Sequence, residues 1–357
     1  MPNITESEAE KNAAVEEQKV AEPTPSVTPA VKKQNPILAY FAKPRGAEAK
    51  LAKYGLFFVI PFFVVYLIFN FWPTLYTILL SFTDLQGFQT KMHFTGAANW
   101  VQLITDNNFW GSVANTFIMW TFNFVPQLGI ALIFAVIFTD PTLSSLRGKN
   151  LFRAIFYMPN LLTAASIAIL FRSLFAFPIG PINQFFTKLG IMQETVRNGE
   201  VVKEAINFFR NPIWTRGIVS FIQWWMWCGQ TLIMLMAGIT SISPSLYESA
   251  VVDGATQSQQ TWYITLPLLR PMMLYLMLTS IIGGMQLFEI PFLLTDMRGG
   301  PNYKIRTMVL YMYNTAFQGT NKYGYASTIA MGVFIITIIL SVIMSFILKD
   351  RSDSKKR

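Results

Sequence analysis

The chain has 357 residues, of which 52% are hydrophobic and only 13% are charged, whereas about 25% of residues are charged in a typical soluble domain. The single cysteine, Cys228, and the single histidine, His93, exclude an internal disulfide and leave too few ligands for a usual zinc centre. The net charge of +9 comes from Lys and Arg in tails and loops, which indicates membrane topology rather than nucleic-acid binding. We therefore expect a membrane protein with no catalytic residue, metal site or cofactor of its own.

The chain is predicted to begin and end with tails. Residues 1–54 are rich in Glu, Lys, Ala and Pro, so they cannot bury enough apolar surface to offset the entropy lost on ordering. Residues 350–357 form a short basic tail. A single transmembrane domain is predicted between them, at residues 55–349.

Six apolar runs follow one another in that domain, and each has about the 20 residues that a 30 Å hydrocarbon layer requires. The predicted spans are residues 56–82, 113–138, 154–175, 218–239, 272–294 and 326–348. Lys and Arg are more frequent before the first span than after it, so the positive-inside rule places the N-terminus in the cytoplasm. An even number of spans then places both termini, and the loop between spans four and five, on the cytoplasmic side. The predicted fold is all-α and polytopic.

The loop between spans four and five carries the local signals of two short helices. Residues 246–253 are predicted to be helical and to end at Gly254, because the residue just past a helix end often has a positive φ. Thr256 and Gln259 have the spacing of a capping box, which starts a second short helix. Pro267 is expected to end that helix before span five.

In this loop the pattern E-x-A-x-x-D-G-A, followed nine residues later by I-x-L-P, resembles the cytoplasmic signature of permease subunits of binding-protein-dependent ABC importers. The matching residues are Glu248, Ala250, Asp253, Gly254, Ala255, Ile264, Leu266 and Pro267. Residues 94–116, 151–162 and 323–334 are similar to the carbohydrate branch, with its maltose-type and glycerol-phosphate-type permeases. The chain departs from the signature at Ser249, where a second Ala is usual, and at Thr261, where an aromatic residue is usual.

The resemblance implies the membrane-spanning subunit of an importer for a sugar or oligosaccharide, located in the bacterial inner membrane and not itself an enzyme. It also implies several partners in addition to the lipid bilayer. A second permease subunit would complete a heterodimer, and two ATP-binding subunits would dock on residues 248–267. An extracytoplasmic solute-binding protein would deliver the sugar, and no nucleic acid would be bound.

Polar residues within the predicted spans indicate where a substrate passes, because polar groups are costly in a bilayer. The predicted path residues are Gln223, Trp227, Gln230, Ser280, Gly284 and Gln286. The three in span four share one helix face, and amides beside an aromatic ring suit a sugar. All six could instead serve as contacts between helices, and this alternative is favoured for the three residues in span five. Asn123, Gln127 and Arg172 are further candidates, and Glu289 is expected to have a structural role.

Other classes of transporter and membrane protein stay open at this point. An importer for glycerol phosphate or a polyol is the nearest alternative, but a phosphate cargo favours Lys or Arg in the path, and only Arg172 qualifies. An ion-coupled secondary transporter needs buried carboxylates, and the spans offer only Glu289. A membrane-tethered scaffold protein is a third class, which loss of uptake on deletion would exclude.

Overall fold

A computed structural model of the protein describes residues 47–87, 92–140, 148–197, 200–319 and 321–348. The chain separates into two units between Ile68 and Phe69. In the first unit, helix α1 (Ala47–Tyr66) begins inside the stretch that the sequence assigned to the N-terminal tail, and a π-helical turn (Leu67–Phe71) follows it. The rest of that tail and the whole C-terminal tail lie outside the described residues, so both stay predictions.

The second unit is mostly helical. Its helices are α2 (Trp72–Leu80), α3 (Ala98–Thr105), α4 (Asn107–Thr139), α5 (Lys149–Tyr157), α6 (Ala164–Leu174), α7 (Pro181–Lys188), α8 (Pro212–Thr240), α9 (Pro244–Val252), α10 (Gln257–Gln260), α11 (Leu266–Leu268), α12 (Arg270–Met285), α13 (Glu289–Leu294), α14 (Met308–Phe317) and α15 (Tyr323–Leu348). Shorter helical turns are the 3-10 turns Met158–Leu161 and Phe208–Arg210 and the π-helical turn Thr261–Thr265.

Among the described residues, the helical stretches that are long and apolar enough to cross a membrane are Phe57–Leu80, Asn107–Thr139, Pro212–Thr240, Arg270–Leu294 and Tyr323–Leu348. They correspond to predicted spans one, two, four, five and six. The predicted third span is instead a pair of helices, Asn150–Leu161 and Ala164–Leu174, bent by 94° at their junction. The chain therefore has six spans only if this pair crosses as one, and the orientation of the termini stays a prediction.

The bend lies just after the 3-10 turn that follows α5, where Leu162 and Thr163 both have an extended backbone. The chain leaves the α-helix at Met158, and Pro159 at the start of the 3-10 turn has no N–H to continue the helical hydrogen bonds. Thr163 then has an extended backbone, and its side chain accepts a hydrogen bond from the backbone N–H of Ser166 at 3.3 Å. Thr163 thereby starts α6 as a new helix in a new direction.

The all-α prediction is wrong in one region. Strands β1 (Gln193–Arg197) and β2 (Glu200–Glu204) form an antiparallel hairpin between α7 and α8. The sequence contains a signal for it, because an Asn-Gly dipeptide, Asn198-Gly199, stands between the two strands and is typical of a two-residue hairpin loop. The hairpin is anchored at its base, where Gln193 and Thr195 both donate hydrogen bonds to the Glu204 carboxylate.

Helices α4 and α8 pack side by side along most of their length. Ala131 and Ala135 of α4 and Leu232 and Leu235 of α8 are fully buried in one apolar cluster. Small residues such as Ala let two backbones approach closely, which is how membrane helices gain van der Waals contact. Helix α12 contacts both α4 and α8, so these three helices enclose a common space.

The connection between α13 and α14, residues 295–307, is buried and heavily hydrogen-bonded. Asn115 of α4 donates to the carbonyl oxygens of Tyr303 and Arg306 at 3.0 and 3.1 Å. Thr307 is fully buried and donates to the carbonyl oxygen of Leu287 at 2.6 Å. These bonds tie the connection to α4 and to the bend between α12 and α13.

Candidate functional site

A cavity of about 680 Å³ lies between α4, α8 and α12, with residues from α6 and α13 at its edges. Its lining includes all six residues that the sequence assigned to a substrate path: Gln223, Trp227, Gln230, Ser280, Gly284 and Gln286. The further candidates Asn123 and Gln127 also line it. The structure thus brings together side chains that the sequence could place only on separate spans.

Sequence reasoning missed several aromatic residues of the cavity. Trp120 and Phe124 line it from α4, and their rings stack with centroids 5.7 Å apart and planes 6° from parallel. Together with Asn123 and Gln127 they fall at i, i+3, i+4 and i+7, so the spacing on α4 could have revealed them as one helix face. Tyr275 joins them from α12 and, like Trp227, is largely exposed to the cavity.

Some of these polar residues hold the helices together. Gln127 Nε2 donates to Thr231 Oγ1 at 2.6 Å, which links α4 to α8. Trp120 Nε1 donates to Ser280 Oγ at 2.9 Å, which links α4 to α12. Gly284 is required for that second contact, because a Cβ on it would lie 2.0 Å from the Trp120 ring. Ser280 and Gly284 are therefore inter-helix contacts as well as lining residues.

Other polar groups in the cavity have no internal partner. The side-chain amides of Gln223 and Gln286 make no hydrogen bond to another described residue. The buried Oδ1 atom of Asn123 has no partner among the described residues either. Gln230 accepts only one long hydrogen bond, from Asn160 at 3.5 Å. Unused amide donors and acceptors can form hydrogen bonds with the hydroxyl groups of a ligand.

The charge in the cavity is limited. Glu289, at the start of α13, is the one charged side chain among the described residues that line it. Arg172, a candidate from the sequence, does not line the cavity and instead forms an ion pair with Asp296. The cavity therefore combines amides and aromatic rings with one carboxylate and no cation in its described lining.

The loop between α8 and α12, residues 241–269, contains the two short helices that the sequence predicts. Gly254 has φ of +76°, and the N–H groups of Gly254 and Ala255 donate to the carbonyl oxygens of Val251 and Ala250. This is a Schellman motif, which requires the left-handed residue that Gly provides. Thr256 and Gln259 form the predicted capping box at the start of α10.

The prediction that Pro267 ends the second short helix is wrong. The chain continues from α10 through the π-helical turn into α11, and Pro267 lies in the first turn of α11. A proline fits there because the N–H groups of a first helical turn have no acceptor within the helix. Tyr247 and Thr265 join the two halves of the loop through their hydroxyl groups at 2.9 Å.

Several exposed side chains of this loop are large and apolar, whereas exposed loops of soluble proteins are mostly polar. Of the eight signature residues, Glu248, Asp253 and Gly254 are exposed, whereas the other five are half-buried: Ala250, Ala255, Ile264, Leu266 and Pro267. The most exposed large apolar side chains are Val252, Trp262 and Tyr263, at 87%, 67% and 79%. These three lie outside the signature, so the motif alone could not identify them.

Apolar helices long enough to cross a bilayer, with a polar cavity enclosed between three of them, define a multi-pass membrane protein of the transporter type. The chain belongs to the family of binding-protein-dependent transport system inner membrane components, whose model matches residues 97–356. The family resemblance predicted from the signature residues is confirmed.

Similar proteins are permeases named for sugars. The chain is 29% identical over 297 residues to the lactose transport system permease protein LacF of Rhizobium radiobacter, which covers 83% of this chain and 94% of that protein. It is 28% identical over 299 residues to the multiple sugar-binding transport system permease protein MsmF of Streptococcus mutans, covering 82% and 94%. It is 25% identical over 305 residues to the trehalose/maltose transport system permease protein MalF of Thermococcus litoralis, covering 85% and 96%.

Solved structures share the fold. A crystal structure of a bacterial ABC transporter involved in the import of the acidic polysaccharide alginate matches with a TM-score of 0.67 and 20% identity, over 85% of this chain and 97% of that one. A second structure of the alginate transporter, in complex with a periplasmic protein bound to alginate pentasaccharide, matches with a TM-score of 0.69 and 20% identity, over 84% and 95%.

Proposed function

We propose that this chain is the membrane-spanning subunit of an ABC importer that translocates a neutral sugar or oligosaccharide across the bacterial inner membrane. The observation that carries the proposal is the cavity between α4, α8 and α12, in which amide side chains lie beside aromatic rings. A sugar offers hydroxyl groups to the amides and apolar ring faces to Trp227 and Tyr275. The names of the similar permeases support the same class of substrate.

The charge of the cavity favours a neutral substrate over the alternatives. Glycerol phosphate or another anionic cargo would be held by Arg or Lys, and no cation is present in the described lining. An ion-coupled transporter would use several buried carboxylates, but Glu289 is the one carboxylate in the described lining of the cavity. A neutral polyol fits the same groups as a sugar, so the transport assay below includes one.

We further propose that two ATPase subunits dock on residues 248–267 and that an extracytoplasmic binding protein delivers the substrate. The exposed apolar side chains of Val252, Trp262 and Tyr263 support a protein partner at this loop. Large apolar side chains contribute most to binding free energy when a groove of the partner removes them from water. Both termini and the loop then lie in the cytoplasm. A second permease subunit completes the transporter as a heterodimer, and it would face the unpartnered amides of Gln223 and Gln286.

Transport by cavity variants tests the substrate proposal. Gln223→Leu removes one unpartnered amide, and uptake of the preferred neutral sugar should fall about fivefold, since one hydrogen bond is worth about 1 kcal/mol. Gln102→Leu, a matched change on the exposed surface of α3, should leave uptake unchanged. Uptake is measured at equal membrane levels with labelled neutral sugars, a polyol, an acidic sugar and glycerol phosphate. Best transport of an acidic or phosphorylated compound would contradict the proposal.

Co-purification of the ATPase tests the docking proposal. Gly254→Asp places a side chain at a left-handed residue, which strains the loop by about 1–2 kcal/mol and changes the exposed turn. We expect the variant to insert in the membrane normally but to release the ATPase or to uncouple ATP hydrolysis from uptake. Ser258→Ala, on the same loop but outside the turn and the capping box, is the control. Equal co-purification and uptake for both variants would remove the docking role.

A further inference from the structure

A second cavity, of about 540 Å³, forms an apolar groove along α4 and α8 and uses none of the residues that line the first cavity. We call it the α4–α8 groove. Its lining residues are Ile118, Phe122, Pro126 and Ile130 of α4 and Ile213, Arg216, Gly217, Ser220, Phe221 and Trp224 of α8. The four residues on α4 follow one another at intervals of four, so they form a single stripe along that helix.

The groove has one charged group, at one end. Arg216 lies in the second turn of α8, where its Nε donates to the carbonyl oxygen of Lys304 at 2.9 Å and its guanidinium Nη2 donates to Asn115 Oδ1. A guanidinium has five N–H groups, so three remain without a described partner. No carboxylate lies within ion-pair distance of Arg216 among the described residues. An unpaired cation on a membrane helix calls for an anion from outside the chain.

The length of the groove matches one leaflet of a bilayer. Ile118 and Ile130 are twelve residues apart on one helix, which corresponds to about 18 Å at 1.5 Å per residue. One leaflet contributes about 15 Å of a 30 Å hydrocarbon core. Arg216 is the fifth residue of the 29-residue span Pro212–Thr240, so it is near the end of the span that would meet the lipid headgroups.

We propose that the α4–α8 groove binds one anionic phospholipid, with an acyl chain along the apolar stripe and the headgroup phosphate on Arg216. Arginine binds phosphate through two parallel N–H groups, and Arg216 has free N–H groups for this. An apolar helix of another subunit would fill the groove but would leave this cation without a counter-charge. The proposal does not depend on which substrate the first cavity carries.

Lipid retention by the purified transporter tests the proposal. The chain is purified from bacterial membranes with the proteins that accompany it, and the lipids that stay bound are counted by native mass spectrometry. It is then titrated with phosphatidylglycerol and with phosphatidylcholine. We expect one retained anionic lipid per chain and a preference of about tenfold for phosphatidylglycerol, the size that one charge-assisted contact supplies.

Two variants distinguish the contribution of the Arg216 charge to lipid binding from that of the apolar α4–α8 groove. Arg216→Gln should abolish the preference between the two lipids. Gly217→Leu keeps Arg216 and fills the groove, since a Cβ on Gly217 meets no atom within 4 Å, and it should remove the retained lipid. Gly129→Leu is the control, because Gly129 is equally open on α4 but lines neither cavity.

Three outcomes would overturn the proposal. The first is equal binding of the two lipids by the unmodified chain. The second is a lipid that Gly217→Leu retains as firmly as Gly129→Leu does. The third is release of a second permease subunit by Gly217→Leu with no change in bound lipid, which would show that the groove holds a protein helix.

Discussion

The loop at residues 241–269 and the connection at residues 295–307 both join helices, but different forces hold them in place. The first is shaped by bonds between near neighbours, such as the Schellman motif at Gly254 and the capping box at Thr256. The second is shaped by bonds to distant helices, from Asn115 of α4 and Arg216 of α8. The first keeps its apolar surface exposed, whereas the second has Ile305 and Thr307 fully buried.

This difference relates structure to the proposed roles. A loop that is folded by its own residues can present a surface to a partner without support from the rest of the molecule. A connection that is built from long-range bonds instead fixes the positions of the helices that it touches, here α4, α8 and the bend between α12 and α13. We therefore expect changes in residues 295–307 to alter the stability of the whole unit, and changes in residues 241–269 to alter binding.

The largest effect is expected for Gly299→Ala. Gly299 has φ of +76°, and a Cβ on it would lie 2.6 Å from Arg306 Cα. Left-handed strain and overpacking together should lower the free energy of unfolding by about 3 kcal/mol. The measurement is thermal unfolding in detergent. Gly300→Ala, where a Cβ meets no atom within 4 Å, is the control, and equal midpoints for both variants would contradict the expectation.

A smaller loss is expected for Asn115→Ala. Asn115 donates to two carbonyl oxygens of the 295–307 connection and accepts from Arg216, so its removal leaves three polar groups without their partner. The free energy of unfolding should fall by about 2 kcal/mol. Ser249→Ala in the exposed loop removes only a bond to the carbonyl of Ser245 and should stay within about 0.5 kcal/mol. Similar losses in the free energy of unfolding for the two variants would contradict the expectation that the 295–307 connection matters more for stability than the 241–269 loop.

Thr256→Ala is expected to act locally. It removes the cap of α10 and should weaken that short helix by about 1 kcal/mol, which raises the exchange rate of its amide hydrogens about fivefold. The thermal midpoint of the whole protein should not change. Hydrogen exchange followed by mass spectrometry measures the first effect, and Ser258→Ala is the control. A lowered midpoint would show that this loop also supports the bundle.

The smallest effect concerns pH and Asp106, which precedes α4. Burial raises the pKa of Asp106, but hydrogen bonds from the hydroxyl groups of Tyr311 and Tyr325 and from backbone N–H groups outweigh it, so the pKa lies below its ordinary value of 3.8. A lowered pKa in the folded state means that the stabilisation is complete above about pH 4 and is lost as the pH falls through the folded-state value.

We therefore expect the stability difference between the unmodified chain and Asp106→Asn to be largest at neutral pH. The difference should shrink as the pH falls below about 4 toward the folded-state pKa, because the carboxylate then takes up its proton. Unfolding midpoints across this range measure it. Tyr311→Phe, which removes one of the donors, should raise the folded-state pKa toward its ordinary value and so make the pH-dependent part of the stability smaller. A difference that stays constant with pH would contradict this assignment.

Much of the fold and of the cavity could be predicted from local patterns. Five of the spans are long apolar runs, and a long apolar run is what a helix needs to cross the hydrocarbon core of a bilayer. The turn at Gly254 and the cap at Thr256 were predictable because their bonds join residues within five positions of each other. The shared position of Gln223, Trp227 and Gln230 on the cavity wall was predictable because helical periodicity places them on one face.

Other features were not predictable from neighbouring residues. The third span contains enough apolar residues for a straight helix, yet Pro159 and Thr163 divide it into two helices bent by 94°. The exposed side chains of Trp262 and Tyr263 lie on a π-helical turn, which has no signal in the neighbouring residues. Arg172 was a plausible path residue until the structure paired it with Asp296.

The sequence by itself determined which segments of this protein are apolar enough to cross a membrane, which family it belongs to, and how the loop at residues 241–269 turns. Composition, spacing and short-range hydrogen bonds are all properties of nearby residues, so they can be read along the chain. Only the tertiary structure decided that Trp120 meets Ser280, that Asn115 holds the 295–307 connection, and that Arg216 stands at the end of an apolar groove. Each of these contacts joins residues about 90 to 190 positions apart, and their partners are selected by how the helices pack, which no local pattern encodes.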